Sequence, residues 1–356
     1  LIQLAYWIKE SFGSTMNEAL KTVIPVKKAV RSKTKKKIRL VVPETKAKDY
    51  LEFCIKRNYK ARIRLLEPLI KAKELDYDYL VKNMKVPRQT ILDLEKLNII
   101  TTDEKKIYRN PIINKDHSRK AINLTREQEF IINDFANEYE KGIRGTYLIH
   151  GVTGSGKTEV YIEIISKVVK EGKKVIMLIP EIALTYQTVS RFYQYFGKRI
   201  SVMNSKLSQG ERYDQFLRMK NGDIDIIIGP RSALFAPFDN LGLIIIDEEH
   251  EDSYKSENPP KYHARNVAIK RAELTGASVI LGSATPSIES YKNALDGKYK
   301  LYTLSNRVGK GQLPKVWVED LRQELKKKNT SIFSERLAKL IRDRLQKKEQ
   351  IILFIN

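Results

Sequence analysis

Two short segments carry the side chains that phosphate chemistry needs. Residues 151–158 read Gly-Val-Thr-Gly-Ser-Gly-Lys-Thr. Gly151, Gly154 and Gly156 let the backbone curl, so successive amides of Thr153, Gly154, Ser155 and Gly156 can point at phosphate oxygens. Lys157 has the reach for β- and γ-phosphates, and the Thr158 hydroxyl can ligate Mg²⁺. About ninety residues later comes Asp247-Glu248-Glu249-His250. Asp247 can hold the water shell of Mg²⁺, and Glu248 can orient or deprotonate an attacking water. Either segment alone could be an ordinary turn. Together they describe a site for Mg-ATP hydrolysis.

Such a site needs particular elements beneath it. The run Thr146-Tyr147-Leu148-Ile149 predicts a strand leading into the glycines, and the residues from Thr158 predict a helix whose N-terminus faces the phosphates. Leu243–Ile246 is a continuous apolar run, suited to a central parallel strand covered on both faces. From about residue 122 onward, strands and helices alternate. Runs 174–179, 225–228 and 278–281 supply further strands, which predicts an α/β fold with a doubly wound parallel sheet. Ligands in such sheets sit beyond the C-terminal strand ends. The segments 180–185, 229–233, 247–250 and 282–286 should therefore meet along one edge.

The chain has 356 residues and a formal net charge of +23, with 29 Lys and Arg against 14 Asp and Glu in residues 1–120. A basic N-terminal third beside a nucleotide site points to a polyanionic partner, nucleic acid before membrane. Cys54 is the only cysteine, which excludes an intrachain disulfide framework and fits a reducing cytoplasm. No apolar run approaches the length needed to span a bilayer. Both ends read as internal cuts, since the chain starts without Met and stops in an apolar run.

Residues 1–45 combine an amphipathic opening with a basic run, Lys27 to Lys37, expected to be a solvated linker or a phosphate-backbone contact. Residues 46–115 show helical spacing around 50–55, 63–70, 79–81 and 87–97, then two β-prone runs, Ile99–Thr101 and Lys106–Tyr108. This pattern predicts a small winged-helix domain with Arg88, Thr90 and Lys96 on its recognition helix. It would serve either to read DNA or as a spacer or protein contact. Pro68 should start or kink its helix.

The order of motifs resembles superfamily 2 helicases, and within them the bacterial replication-restart helicase (PriA) family. Gly-Val-Thr-Gly-Ser-Gly-Lys-Thr-Glu-Val-Tyr at 151–161 is similar to that family's phosphate loop. Ile-Pro-Glu-Ile-Ala-Leu-Thr at 179–185 and Gly-Pro-Arg-Ser-Ala-Leu-Phe-Ala-Pro at 229–237 resemble its DNA-facing motifs, with Arg231 in the second. Asp-Glu-Glu-His and Leu-Gly-Ser-Ala-Thr-Pro-Ser at 281–287 resemble motifs II and III. Leu124–Gln128 is similar to the adenine-side glutamine element, which makes Gln128 the expected base contact. Glu251–Lys255 and Pro259–Arg265 resemble the family's aromatic-rich loop between single-stranded DNA and the ATP site. Tyr254 and Tyr262 would stack on bases, while Lys255, Lys261 and Arg265 meet phosphates.

The resemblance implies a RecA-like first helicase lobe at 116–305, followed by a connector and the start of a second lobe at 306–356. It implies an ATP-dependent 3′-to-5′ DNA helicase that acts at stalled or abandoned replication forks in primosome assembly. Ser283, Thr285 and His250 would link the nucleotide to DNA, although His250 could simply cap its turn. ATP and Mg²⁺, held through Thr158 and Asp247, are the expected cofactors. Zinc belongs to a missing C-terminal part, and none is expected in these residues. Expected partners are branched and single-stranded DNA, primosome proteins and single-stranded DNA-binding protein, in the cytoplasm. Without a second lobe's arginine, turnover should be weak or absent. Another superfamily 2 translocase, or a nucleotide-switched DNA-binding module, would share many of these features.

Overall fold

The computed structural model describes residues 1–24, 33–107, 123–308 and 315–354. It divides into two units, Leu1–Val308 and Gly309–Asn356.

The first unit opens with α1 (Ile2–Phe12) and α2 (Met16–Val23). Gly13, at φ 59°, ends α1, and Thr15 with Glu18 forms a capping box that starts α2. Leu4, Ala5, Ile8, Ala19 and Val23 are buried in the same apolar cluster as the large sheet described below. The amphipathic opening is thus part of that core.

A smaller body follows: β1 (Lys33–Leu40), α3 (Glu44–Lys56), α4 (Lys60–Ala72), β2 (Glu74–Asp76), α5 (Tyr77–Lys82), α6 (Arg88–Lys96) and β3 (Ile100–Ile107). Its strands form an antiparallel sheet in the order β2-β1-β3. Ile38, Cys54, Leu65, Leu66, Leu69, Leu80, Ile91 and Leu94 are buried in its core. Two expectations change here. From Lys33 onward the basic run is a strand, because Glu74, Asp76, Asp103 and Glu104 on both flanking strands pair with Lys37, Lys35, Arg39 and Lys36. The two β-prone runs, expected as separate, instead fall on one strand, β3, from Ile100 to Ile107, paired along β1; Tyr108 lies outside the described residues. Arg88, Thr90 and Lys96 do share one helix, α6. Helix α4 continues through Pro68 and neither starts nor stops there.

The large sheet is built from α7 (Arg126–Glu140), β4 (Thr146–Gly151), α8 (Lys157–Lys170), β5 (Lys174–Leu178), α9 (Tyr186–Phe196), β6 (Ile200–Val202), α10 (Gln209–Lys220), β7 (Ile226–Gly229), β8 (Leu241–Asp247), α11 (Ala264–Thr275), β9 (Ser278–Ser283), α12 (Ile288–Leu295) and β10 (Lys300–Leu304). Its seven strands run parallel in the order β10-β4-β9-β8-β5-β7-β6. One apolar cluster lies on each face. This explains why β8 can be apolar at every position from Leu241 to Ile246 save Gly242, with both sides of the strand shielded from water. Strands β4, β5, β7, β8 and β9 were legible as apolar runs; β6 and β10 were not. The second unit contains α13 (Leu321–Lys326) and α14 (Glu335–Gln346), joined through the buried Glu324 carboxylate, which accepts from the Glu335 amide at 2.8 Å.

Candidate nucleotide site and strand groove

β4 ends at Gly151, and Gly156 precedes the first residue of α8, Lys157, so residues 152–156 form the intervening loop. Gly154 and Gly156 take φ of 80° and 82°, which a side chain would strain. A Cβ on Gly151 would lie 2.7 Å from Ser155 Oγ, and one on Gly156 would collide with the Gln128 amide nitrogen. Lys157 is buried, with Nζ donating to the Gly151 carbonyl at 2.7 Å. Ser155 Oγ is buried without a hydrogen-bond partner. A loop with positive-φ glycines, a lysine at its mouth and an unsatisfied hydroxyl fits a phosphate cradle.

β8 lies one strand beyond β9 from β4 and delivers Asp247 to the same cavity. That cavity, about 300 Å³, is lined by residues 153–159, Arg191, Asp247, Glu248 and Val308. Burial, then the neighbouring Glu248 charge, pushes the Asp247 carboxyl up to about 6, against the opposing hydrogen bond from Tyr161. That bond runs from Tyr161 Oη to Asp247 Oδ1 at 3.1 Å. Glu248 adopts φ 47°, a left-handed conformation that costs a non-glycine residue about 1–2 kcal/mol. The turn sends Glu249 inward, where its amide donates to Gly282 O at 3.1 Å. Thr158 and Asp247 would hold Mg²⁺.

The sequence expectations meet this geometry unevenly. Motifs II and III do join: His250 Nδ1 is 2.7 Å from Ser283 Oγ, and Nε2 is 3.4 Å from Thr285 Oγ1. Gln128 does not face an open base site. It is buried, with Oε1 accepting from the Thr125 amide at 2.8 Å and Nε2 donating to Ser155 O at 2.8 Å, so it caps α7 and braces the loop.

Arg265 is not a surface phosphate ligand either. It is buried, with Nη1 donating to Glu249 Oε2 at 2.8 Å and to Ser290 Oγ at 2.9 Å. Tyr254 and Tyr262 belong to the core cluster, so their rings are not presented for stacking. Tyr254 Oη donates to Asp247 O at 2.7 Å, and Tyr262 packs edge-on against Phe235 with ring centres 5.7 Å apart. Their apolar area is worth more in the core than at the surface. Lys255 and Lys261 remain exposed.

Arg231 donates through Nη1 to Ser253 O at 3.1 Å and to Lys255 O, fastening the loop that follows β8. Beside it lies a groove of about 640 Å³, lined by Lys21 of α2, Pro180 and Glu181, Arg212, Pro230–Ser232 and Asp252–Lys255. Of the four segments expected along one edge, 180–185 and 229–233 reach this groove, whereas 247–250 meets 282–286 through the Glu249–Gly282 and His250–Ser283 contacts.

Sequence reasoning missed three participants. Glu249, fully buried, accepts from Arg265, the Ser287 amide at 2.7 Å and Ser290 Oγ, tying motif II to the start of α12. Tyr161 closes the 151–161 motif but had no role assigned, and Arg191 sits in an ordinary helical stretch, where spacing gives no sign of the site.

Comparison with known proteins places these features in a family. The model for the type III restriction enzyme res subunit (ResIII) matches residues 121–288. Replication restart protein PriA of Bacillus subtilis is 43% identical over 278 residues, 78% of this chain and 34% of that protein. Its counterpart in Chlamydia pneumoniae is 38% identical over 362 residues, 100% of this chain and 48% of that protein. The chain therefore spans about a third to a half of these relatives' length. A solved structure of RecG bound to a three-way DNA junction aligns with a TM-score of 0.41 at 23% identity, over 55% of this chain and 25% of that one. No helix among the described residues is long and apolar enough to cross a membrane.

Proposed function

The chain belongs to the replication restart protein PriA family, and we propose that it is the nucleotide-driven part of an ATP-dependent 3′-to-5′ DNA helicase. It would act in the cytoplasm at stalled or abandoned forks, with primosome proteins and single-stranded DNA-binding protein as partners. One observation carries the reading: the phosphate loop and the acidic end of β8 line a single cavity. Mg-ATP bound there would supply the free energy of phosphoryl transfer. Lys157 neutralises phosphate charge, Thr158 and Asp247 hold the metal, and Glu248 directs water.

The links out of that cavity support a motor. Tyr254 joins Asp247 to the loop held by Arg231, and His250 joins motif II to Ser283. A change at the phosphate end thus has one short route to the groove, through Tyr254 and the loop held by Arg231. Lys255 and Lys261 are the loop's exposed cations toward DNA phosphates.

The test is Mg-ATP binding by the chain and Mg-ATP turnover by the full-length protein, with and without branched DNA, using Lys157→Ala as the blank. Binding lost in Lys157→Ala, together with turnover raised by branched DNA, supports the motor. Turnover indifferent to DNA would shift the assignment to a nucleotide-switched DNA-binding module.

A further inference from the structure

The nucleotide cavity contains a charged side chain that none of the phosphate-site motifs explains. Arg191 projects from the middle of α9, lines the cavity with residues 153–159, Asp247 and Glu248, and pairs with Glu159 in the first turn of α8. Its side chain is 44% exposed and that of Glu159 is 23% exposed. The pair therefore sits at the cavity wall, open to whatever enters.

The charges around it are unbalanced for a polyanionic guest. Glu159, Asp247 and Glu248 line the cavity against Lys157 and Arg191. A divalent metal offsets Asp247 and Glu248, but Glu159 would still face the phosphates. Arginine is always charged, and its planar fork matches phosphate oxygens at two points. A carboxylate in a pair that stays open to solvent holds such a group only weakly.

On the nucleotide reading of this cavity, we propose that Arg191 contacts the terminal phosphate of a bound nucleoside triphosphate, exchanging Glu159 for it. The location selects the phosphate end, because Arg191's neighbours are the phosphate loop and the end of β8. Its helix starts just after Pro180 and Glu181, which line the groove. A side chain on α9 that answers to the terminal phosphate is thus carried by a helix whose preceding turn lines the groove.

The experiment is calorimetric titration of the chain with Mg²⁺ and either a non-hydrolysable ATP analogue or ADP. Unaltered protein, Arg191→Gln, Arg191→Lys and Glu159→Gln are compared. Losing a charge-assisted contact should weaken the triphosphate analogue by roughly tenfold or more in Arg191→Gln, while ADP changes by less than about threefold. Arg191→Lys should fall between the two, and Glu159→Gln should bind the analogue as well as the unaltered chain or better.

Equal loss of analogue and ADP, or equal loss in Arg191→Gln and Glu159→Gln, would make the pair a structural brace and overturn the assignment. Unchanged analogue affinity in Arg191→Gln would overturn it too. If the unaltered chain bound neither nucleotide, the reading of the cavity itself would fall, an outcome distinct from the others.

Discussion

Three adjacent acidic residues do three different jobs, and the backbone decides which. Asp247 ends a buried strand and faces Tyr161, Glu248 turns through a positive φ toward the cavity, and Glu249 goes inward to Arg265. Glu248→Gln should therefore leave nucleotide affinity within about twofold, while turnover drops about 10²- to 10⁴-fold, the share a general base supplies. Steady-state hydrolysis by the full-length protein beside equilibrium titration checks both halves, and a variant with intact turnover would remove Glu248 from the chemistry.

Glu249 should behave differently. Removing one partner of a buried ion pair strands the other charge, so Arg265→Ala should cost about 3–5 kcal/mol, read as a lower denaturant midpoint. A loss under about 1 kcal/mol would mean that the pair is effectively solvated.

His263 gives a pH signature. Burial, then the nearby Arg265 charge, hold its pKa below 6.5, against weaker opposing effects from Glu249 and Glu289. Its Nδ1 accepts from the Arg265 amide at 3.2 Å, so it caps α11 in the neutral form. The unfolded chain takes up this proton first as pH falls. The stabilisation is therefore complete above pH 6.5 and is lost on acidification below it. Melting temperatures between pH 5 and 7.5 should fall more steeply for the unaltered chain than for His263→Asn.

At the scale of elements, the strand ends act as the organising feature. Tyr254 and Arg231 hold the loop after β8 against the sheet, one from inside the core and one across the groove. Arg231→Ala should release residues 252–258, and amide exchange in that segment should rise about tenfold while that in β8 is unchanged. Equal exchange in both proteins would show that Tyr254 fixes the loop unaided.

The elements also explain what was legible in the sequence. The phosphate loop and the long apolar strands could be read because each is encoded locally, by glycines or by an unbroken apolar run. β6 has three residues and β10 carries Lys300 and Thr303, so neither presents such a run. The roles of Tyr254, Tyr262 and Arg265 were misread because a tyrosine or arginine near motif II looks the same on a surface as in a core. Only packing against Phe235, Glu249 and the Asp247 carbonyl decides. Gln128 was expected to contact a base, but its amide is engaged in capping α7 and holding Ser155.

For the molecule as a whole, net charge overstates the surface available to a polyanion. The basic strand β1 meets acidic residues on both neighbours, with Lys35–Asp76 at 2.9 Å and Arg39–Asp103 at 3.1 Å. Such exposed pairs contribute about 0–1 kcal/mol each to stability, yet they place a carboxylate beside every cation they involve. At these four pairs, a phosphate approaching β1 meets cations already matched by carboxylates. Lys255 and Lys261 lie instead on the loop that continues from the groove wall, exposed to solvent.

Counterion release makes the two situations measurable. Each lysine that neutralises a phosphate of single-stranded DNA adds about 0.7 to the slope of log affinity against log salt. Lys255→Ala and Lys261→Ala should each flatten the slope by about that amount, and the double variant by about twice as much. Lys35→Ala should leave the slope unchanged. Fluorescence anisotropy with labelled single-stranded DNA between 50 and about 200 mM salt spans the range where such slopes separate. A flattened slope for Lys35→Ala, with none for the loop lysines, would move the strand's path from the loop to the small β-sheet body.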